Sequence, residues 1–308
     1  MPEAVIDIGT NTAHLVVAEI EDHAIHSLGS GMKTVRLGEG LIQKGVIQPA
    51  AVQRALDGVK QLIYQAQQAS STSIQIVGTH VFRVAQNGSQ VAKILEQGLG
   101  LPITILSETD EAKWSFQGAI WGRDTQILCS LTDVGGGSTE IITGTMKHID
   151  HTISLPIGAV TLTEQCCIQS PLSEREIMCM EQAIKNQLQT VSFHVSDVFY
   201  AVGGTATTLA ALHHKLCRYD ADVVDGTELT FSKLQEIYKA LLGATQREKE
   251  KILSFYPERA DIIVAGTAIL YVLMRHFSLG SIFVSTRGLR HGILLRNYFN
   301  KMKKESLI

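Results

Sequence analysis

Two segments, DIGTNT at 7–12 and DVGGGS at 133–138, share one form: an apolar run, an aspartate, an apolar residue, then glycine and small polar residues. Each leads into a second apolar run, AHLVVAEI (13–20) after the first and TEIITGTMKHI (139–149) after the second. A strand that turns through glycine into a returning strand is a hairpin, and the glycines cost chain entropy wherever a side chain would serve. A plain turn is one reading. The other is a loop whose N–H groups wrap an anion, with Asp133 and Glu140 flanking it to hold a cation. One loop leaves both readings open. Repetition of the form at domain scale predicts two like-folded halves, with a ligand held between one loop from each.

The chain has 308 residues, enough for two domains with separate cores. Its 45% hydrophobic and 19% charged content describe an ordinary globular protein. The formal net charge of −3 offers no global field for a polyanion, so an anionic ligand must be drawn by local clusters. The basic stretch 296–304 is one candidate cluster, although a solvated end to the last helix is the favoured reading. No apolar run reaches the length of a membrane span, and MPEAVIDIG lacks the basic start of a secretory signal. Cysteines 129, 166, 167, 179 and 217 are odd in number and show no CxxC spacing. That argues against zinc and a disulfide framework, and for a reducing cytoplasm.

Strand-like and helix-like segments alternate, which predicts an α/β architecture. Strands are expected at EAVIDIG, AHLVVAEI, MKTVRLGEGL, SIQIVGT and PITIL, with helices over 49–70, near 89–98 and from SETDEAKW. Within 49–70, Val52, Leu56, Val59, Ile63 and Ala66 recur at helical spacing. The pattern restarts at QILCSLTDVGGG. Ser170-Pro171 is a candidate cap for the next helix, and further helices are expected over 231–253 and 259–277 and from GLRHG.

In order along almost the whole chain, IDIGTNTAHLVVAE, RLGEGL, GTHVFRVAQN, LSETDEA, DVGGGSTE, LPIGAVTLTE, VGGTATTLAAL, RADIIVAGTAIL and GLRHG resemble the exopolyphosphatase / guanosine pentaphosphate phosphatase family. That family sits in the superfamily of actin, sugar kinases and heat-shock chaperones. The resemblance implies two ribonuclease-H-like, actin-like domains, each a mixed five-stranded sheet flanked by helices, with the active site in the cleft between them. It implies a first domain over 1–124, with a C-terminal helix near 296–308 packing back on it, and a second over 125–295.

Carried over position by position, the resemblance implies phosphate-binding loops at Gly9, Thr10, Asn11 and Thr12, and at Gly135, Gly136, Gly137, Ser138 and Thr139. Thr10 and Thr12 stand where serines are common and keep the hydroxyls. Gly203, Gly204 and Thr205, leading into a helix, form a further anion site by geometry. Asp133 and Glu140 match acidic positions associated with magnesium, and Asp7 is a third candidate, with a turn-forming role as its alternative. Glu111 matches the catalytic glutamate, and Asp133 is implicated in catalysis with it. Ser107-x-x-Asp110 has a capping-box pattern that would spend Asp110 on the helix start and leave Glu111 available. Arg83 matches a phosphate-binding arginine, with a structural salt bridge as the competing role. Lys33 and Arg36 are weaker candidates, and Arg290 fits the Gly-Leu-Arg ending. Two departures stand out: Glu108 replaces a glycine, and His291 stands where glutamate is usual.

The implied reaction is hydrolysis of a phosphoanhydride in polyphosphate or guanosine pentaphosphate (pppGpp), assisted by magnesium or another divalent cation. The partners expected are those substrates, with neither nucleic acid nor membrane, and a homodimer is left open. The implied setting is the stringent response. The chain ends soon after the two-lobed core, which makes short polyphosphate or pppGpp at least as plausible as long chains. A kinase of the same superfamily and a non-catalytic polyphosphate or (p)ppGpp sensor are the alternatives.

Overall fold

The computed structural model describes residues 1–123, 127–167 and 169–305. It divides into a first unit of Met1–Arg123 with Arg287–Ile308, and a second of Asp124–Thr286. The boundary expected at 124 and 125, and the expected helix end over 306–308, lie outside the described residues.

The first unit opens with β1 (Glu3–Ile8), β2 (Thr12–Glu21), β3 (Ala24–Thr34), α1 (Leu41–Lys44) and α2 (Pro49–Gln68). It continues with β4 (Ser73–Gly78), α3 (His80–Val84), α4 (Gly88–Leu99), β5 (Ile103–Ile105) and α5 (Glu108–Ile120). The sheet order is β3-β2-β1-β4-β5, with β1 antiparallel to β2 and parallel to β4. Strict alternation builds both faces of this sheet. Ala4, Ile6 and Ile8 of β1 join Ala13, Leu15 and Val17 of β2 under α2 and α4. Val5, Val16 and Ala18 point the other way. The third strand ends at Thr34, upstream of most of the segment expected to form it. Its run is rich in glycine and serine and lies at an edge, so the sequence carries little apolar pattern there. The following turn is tied to the first glycine loop: Val35 N–H and Arg36 N–H both donate to Asn11 O at 2.9 Å.

The second unit comprises β6 (Cys129–Val134), β7 (Thr139–Gly144), β8 (Ile149–Leu155), α6 (Ala159–Cys166), α7 (Glu174–Leu188) and β9 (Phe199–Val202). Then follow α8 (Gly203–His213), α9 (Ala221–Val224), β10 (Glu228–Thr230), α10 (Phe231–Gly243), α11 (Gln246–Ile252), α12 (Ile263–His276) and β11 (Ser281–Val284). The order is β10-β11-β9-β6-β7-β8. Its five strands β8-β7-β6-β9-β11 reproduce β3-β2-β1-β4-β5, as the repeated motif predicts. The sixth strand corrects the expected five: β10 is a three-residue edge strand, too short to show periodicity.

Local chemistry moves several helix ends. Ser173, not Ser170, caps α7, because Ser173 and Glu176 bond reciprocally in a capping box. The stretch 231–253 breaks at Thr245, which makes its own capping box with Glu248. α12 starts at Ile263 rather than 259. The chain returns to the first unit at Arg287, ahead of 296, because α13 (Leu289–Glu305) brings Leu289, Ile293 and Leu294 to the second face of the sheet. Among the described residues no helix is long and apolar enough to cross a membrane.

Helices α5 and α13 touch backbone to backbone. A β-carbon on Gly292 would fall on the Trp114 carbonyl, and one on Gly118 on the Gly288 carbonyl. Glycine inside a helix costs up to about 1 kcal/mol, so this close approach is what the two glycines serve. We expect Gly292→Ala to lower unfolding stability by about 2–3 kcal/mol, measured by urea denaturation, because the overpacked helices have to separate. An unchanged urea midpoint would contradict the contact.

Candidate active site

The two glycine loops close in the same way. Gly9 N–H donates to Thr12 O at 2.9 Å, and Gly135 N–H donates to Ser138 O at 3.0 Å. Thr10, Asn11 and Thr12 are buried in the first unit, and Ser138 and Thr139 in the second. Asn11 Nδ2 is a buried donor with no partner, whereas the Thr139 hydroxyl donates to Ile157 O at 2.7 Å and is spent. The first loop is also braced by Gly38 N–H to Thr10 O at 2.9 Å.

Sheet register separates the chemistry of the two loops. In the second unit Asp133 stands directly opposite Glu140, and Glu140 opposite Ser154, in one row across β6, β7 and β8. Directly opposed residues place their β-carbons about 4.5–5.5 Å apart on one face, so the two carboxylates are neighbours. Ser154 Oγ donates to Glu140 Oε1 at 2.8 Å, and Glu140 is buried. The equivalent row in the first unit reads Asp7, His14, Met32. There His14 Nε2 meets Thr12 Oγ1 at 2.7 Å. A carboxylate pair therefore exists in the second row only, and Asp7 lacks an acidic partner across the strand.

Magnesium is commonly held by one or two carboxylates and completes its shell with water and substrate phosphate. The Asp133/Glu140 pair fits that pattern. Among the described residues no group of three or more His, Cys, Asp or Glu side chains is placed to hold a metal by itself.

The row extends to β9, where Asp133 pairs with Val202, and Gly203 then opens α8. Gly203 has φ of 88°, and a β-carbon there would stand 2.7 Å from Asp133 Oδ1. Only glycine allows this turn and this approach together. The N-cap residue of α8, Val202, makes no side-chain cap bond, which suits the geometry of an anion site at a helix start. Thr205 Oγ1, in the first turn, is buried without a partner.

Sequence reasoning gave no role to Arg259, yet its guanidinium packs on Gly204 at that same helix start. Arg259 is buried, its Nε has no partner, and burial holds its pKa below the usual arginine value. The signal in the sequence was an arginine at the head of the long apolar helix expected over 259–277.

Glu111 and Arg83 come together in the first unit. Arg83, in the last turn of α3, donates through Nη1 to Glu111 Oε2 at 2.5 Å and to Leu106 O at 3.0 Å. Both side chains are about 15% exposed (16% and 14%). Ser107 caps α5 and takes Asp110 N–H at 3.1 Å, and its hydroxyl donates to the Asp110 carboxylate at 2.9 Å. Asp110 is thus engaged at the cap while Glu111 faces Arg83. The salt bridge weighed against phosphate binding for Arg83 is present, but it uses one nitrogen. Nε and Nη2 are buried and unpartnered. Glu108 is exposed, one turn from this pair.

A cavity of about 620 Å³ lined by His148, Asp150, His151, Phe193 and His194 opens at the far end of β6 and β7 from the glycine loop. Lys33 and Arg36 lie at the end of β3 and in the turn after it.

His291 is buried, and its Nδ1 accepts the Gly288 N–H at 3.4 Å at the start of α13. Burial, with Arg290 and Arg287 nearby, pushes its pKa down to about 3. His80 is likewise lowered, to about 4, by burial and then by Arg83, against a smaller opposing effect of Glu108. A neutral imidazole replaces an acid where an acid was expected, and two arginines adjoin it. Because the folded pKa lies below the unfolded value of 6.5, the unfolded chain binds more protons between pH 6.5 and 3. Stability is therefore full above pH 6.5 and falls as pH drops through that window. For His291 alone the loss at pH 5 is roughly 2 kcal/mol. Urea midpoints measured from pH 7 to pH 4.5 should show that decline, and His291→Gln should flatten it; equal slopes would contradict it.

The model of the Ppx/GppA phosphatase family matches residues 16–301. Exopolyphosphatase 2 of Mycobacterium tuberculosis is 28% identical over 315 residues, covering 95% of this chain and 97% of its own. Among solved structures, a Ppx/GppA family member from Aquifex aeolicus has a TM-score of 0.81 at 26% identity, covering 98% of each chain. An exopolyphosphatase from Cytophaga hutchinsonii has a TM-score of 0.86 at 25% identity, over 96% of this chain and 97% of that one. With the family pattern spanning nearly its whole length and one strand order repeated in both sheets, this chain belongs to the Ppx/GppA phosphatase family.

Proposed function

We propose that this protein is a phosphoanhydride hydrolase that releases terminal phosphate from inorganic polyphosphate, with pppGpp as a second substrate of the same chemistry. The observation that carries the reading is the Arg83–Glu111 pair at the start of α5, in which the arginine keeps two buried donors unspent. A phosphoryl group offers oxygens to those donors and competes for Nη1 as well. Once phosphate holds the guanidinium, the Glu111 carboxylate is released to accept a proton from water. Family relatives named as exopolyphosphatases support polyphosphate as the substrate class.

Phosphoryl transfer needs positioning and charge neutralisation more than covalent chemistry. Asn11 Nδ2, the N–H groups at the start of α8, Thr205 and Arg259 are donors suited to phosphate oxygens. Asp133 and Glu140 would hold magnesium, and Asp7 is the third candidate ligand. When bound, the ion would neutralise charge on the phosphate oxygens. Five free cysteines accord with a reducing cytoplasm.

Phosphate release should be assayed on polyphosphates of several lengths, pppGpp and ATP, with and without acceptors. Release without acceptor supports hydrolysis; transfer that requires an acceptor would establish a kinase instead. Tight binding of pppGpp or ppGpp with no release would establish a sensor. We expect Glu111→Gln to lower kcat by about 10²–10⁴-fold while polyphosphate still binds, as removal of a general base does. An unchanged kcat would sink the assignment. For the metal, Ser154→Ala should raise the magnesium concentration giving half-maximal activity by about tenfold, because a partner that orients a ligand is lost. No change in a magnesium titration would remove Glu140 from the metal site.

A further inference from the structure

The sulfurs of Cys166 and Cys179 lie 3.0 Å apart, close enough that one thiol donates to the other. Cys166 ends α6 and is buried; Cys179 lies on α7 and is exposed. A disulfide requires about 2.05 Å between sulfurs, so bonding these two closes a gap of roughly 1 Å. Cys167 is turned elsewhere, with its thiol on Met180 Sδ at 3.9 Å.

The other end of α6 is fixed to the second glycine loop. Ala159 N–H donates to Gly135 O at 2.9 Å and Val160 N–H to Gly136 O at 2.8 Å. Thr161 N–H adds a bond to Gly136 O at 3.1 Å, and Ala159 and Val160 pack with Ile262. The helix has eight residues and so behaves as a short rigid rod about 12 Å long. A shift imposed at Cys166 is therefore delivered to Gly135 and Gly136.

We propose that Cys166 and Cys179 form a reversible disulfide that displaces the 135–138 loop through α6 and so lowers turnover. The effect on turnover rests on the reading of that loop as phosphate-binding; the disulfide and the loop shift do not. A peroxide is the oxidant. The exposed Cys179 thiolate attacks one peroxide oxygen, the O–O bond breaks, and hydroxide leaves to take up a proton as water. Cys179 is then a sulfenic acid. The Cys166 sulfur attacks the Cys179 sulfur, the S–O bond breaks, and the Cys166 proton leaves with the hydroxyl as a second water. Two thiols are oxidised and one peroxide is reduced to two waters. Burial and the hydrogen bond to Cys179 push the Cys166 thiol up to about 12, so it stays protonated and unreactive until a sulfenic acid forms beside it. A dithiol reverses the bond by exchange. Such a bond in a reducing compartment is transient by nature.

The test treats the full chain with stoichiometric hydrogen peroxide and follows three readouts. These are thiol count with peptide mapping, amide hydrogen exchange over 135–138, and phosphate release. Expected are loss of two of the five thiols, a peptide joining Cys166 to Cys179, and altered exchange in the loop. Phosphate release should fall about tenfold or more, since a 1 Å misplacement can cost about 10²-fold, and dithiothreitol should restore it. Cys179→Ser should keep the reduced rate and be indifferent to peroxide. Absence of the cross-linked peptide overturns the proposal, as does a cross-link that leaves loop exchange unchanged. If no substrate releases phosphate, the hydrolase reading fails alone, because thiol count and exchange still decide the disulfide.

Discussion

The constraint on which the candidate site depends is the register of β6 against β7. Side chains alternate with a period of two, so a slip of one residue would turn Asp133 away from Glu140 and swap every core residue of the strand to the wrong face. The buried partners Leu131, Val134, Ile141 and Ile142 lock that register. Thr132, fully buried between them, spends its hydroxyl on Glu140 O at 3.0 Å. Packing of the sheet thus positions two acids that packing alone would never retain, since adjacent carboxylates repel. A bound cation would offset that repulsion, which is the physical basis of the proposed magnesium site.

The duplicated topology shows how one scaffold supports two kinds of loop. Position for position, Asp7 corresponds to Asp133 and His14 to Glu140, and Gly9–Thr12 closes with the same hydrogen bond as Gly135–Ser138. Backbone amides are supplied by both copies. A cross-strand pair of carboxylates comes from the second alone. The repeated fold therefore provides the same loop twice, and side-chain divergence leaves the acidic pair in one copy.

The repeat, the α/β class and the glycine loops were legible because each is a local pattern: alternation, a strand-ending aspartate, and turn residues. The Ser107–Asp110 cap was legible for the same reason, as a contact between residues three apart. What escaped was non-local or too short. Arg259 acquires its environment from Gly204, far away in sequence, and β10 spans three residues with no period to read. The start of α7 was misplaced because proline at 171 is a plausible first-turn residue. The reciprocal Ser173–Glu176 bonds outweigh it. His291 could be seen as a departure from the family pattern, but its burial as a neutral base could not.

Each unit keeps buried donors that make no hydrogen bond. Each costs on the order of 1–3 kcal/mol when left unmade, and Arg83, Asn11, Thr205 and Arg259 all carry one or more. A negatively charged ligand rich in acceptors, as in the proposed reaction, would offset that cost. Within Arg83 the balance is asymmetric. One nitrogen holds Glu111 at 2.5 Å, so the acid is restrained, while Nε and Nη2 are buried and make no hydrogen bond. On the proposed reading, binding energy from a phosphoryl group would be spent on loosening that ion pair, and ordering of water by Glu111 would follow phosphate recognition by Arg83 rather than precede it.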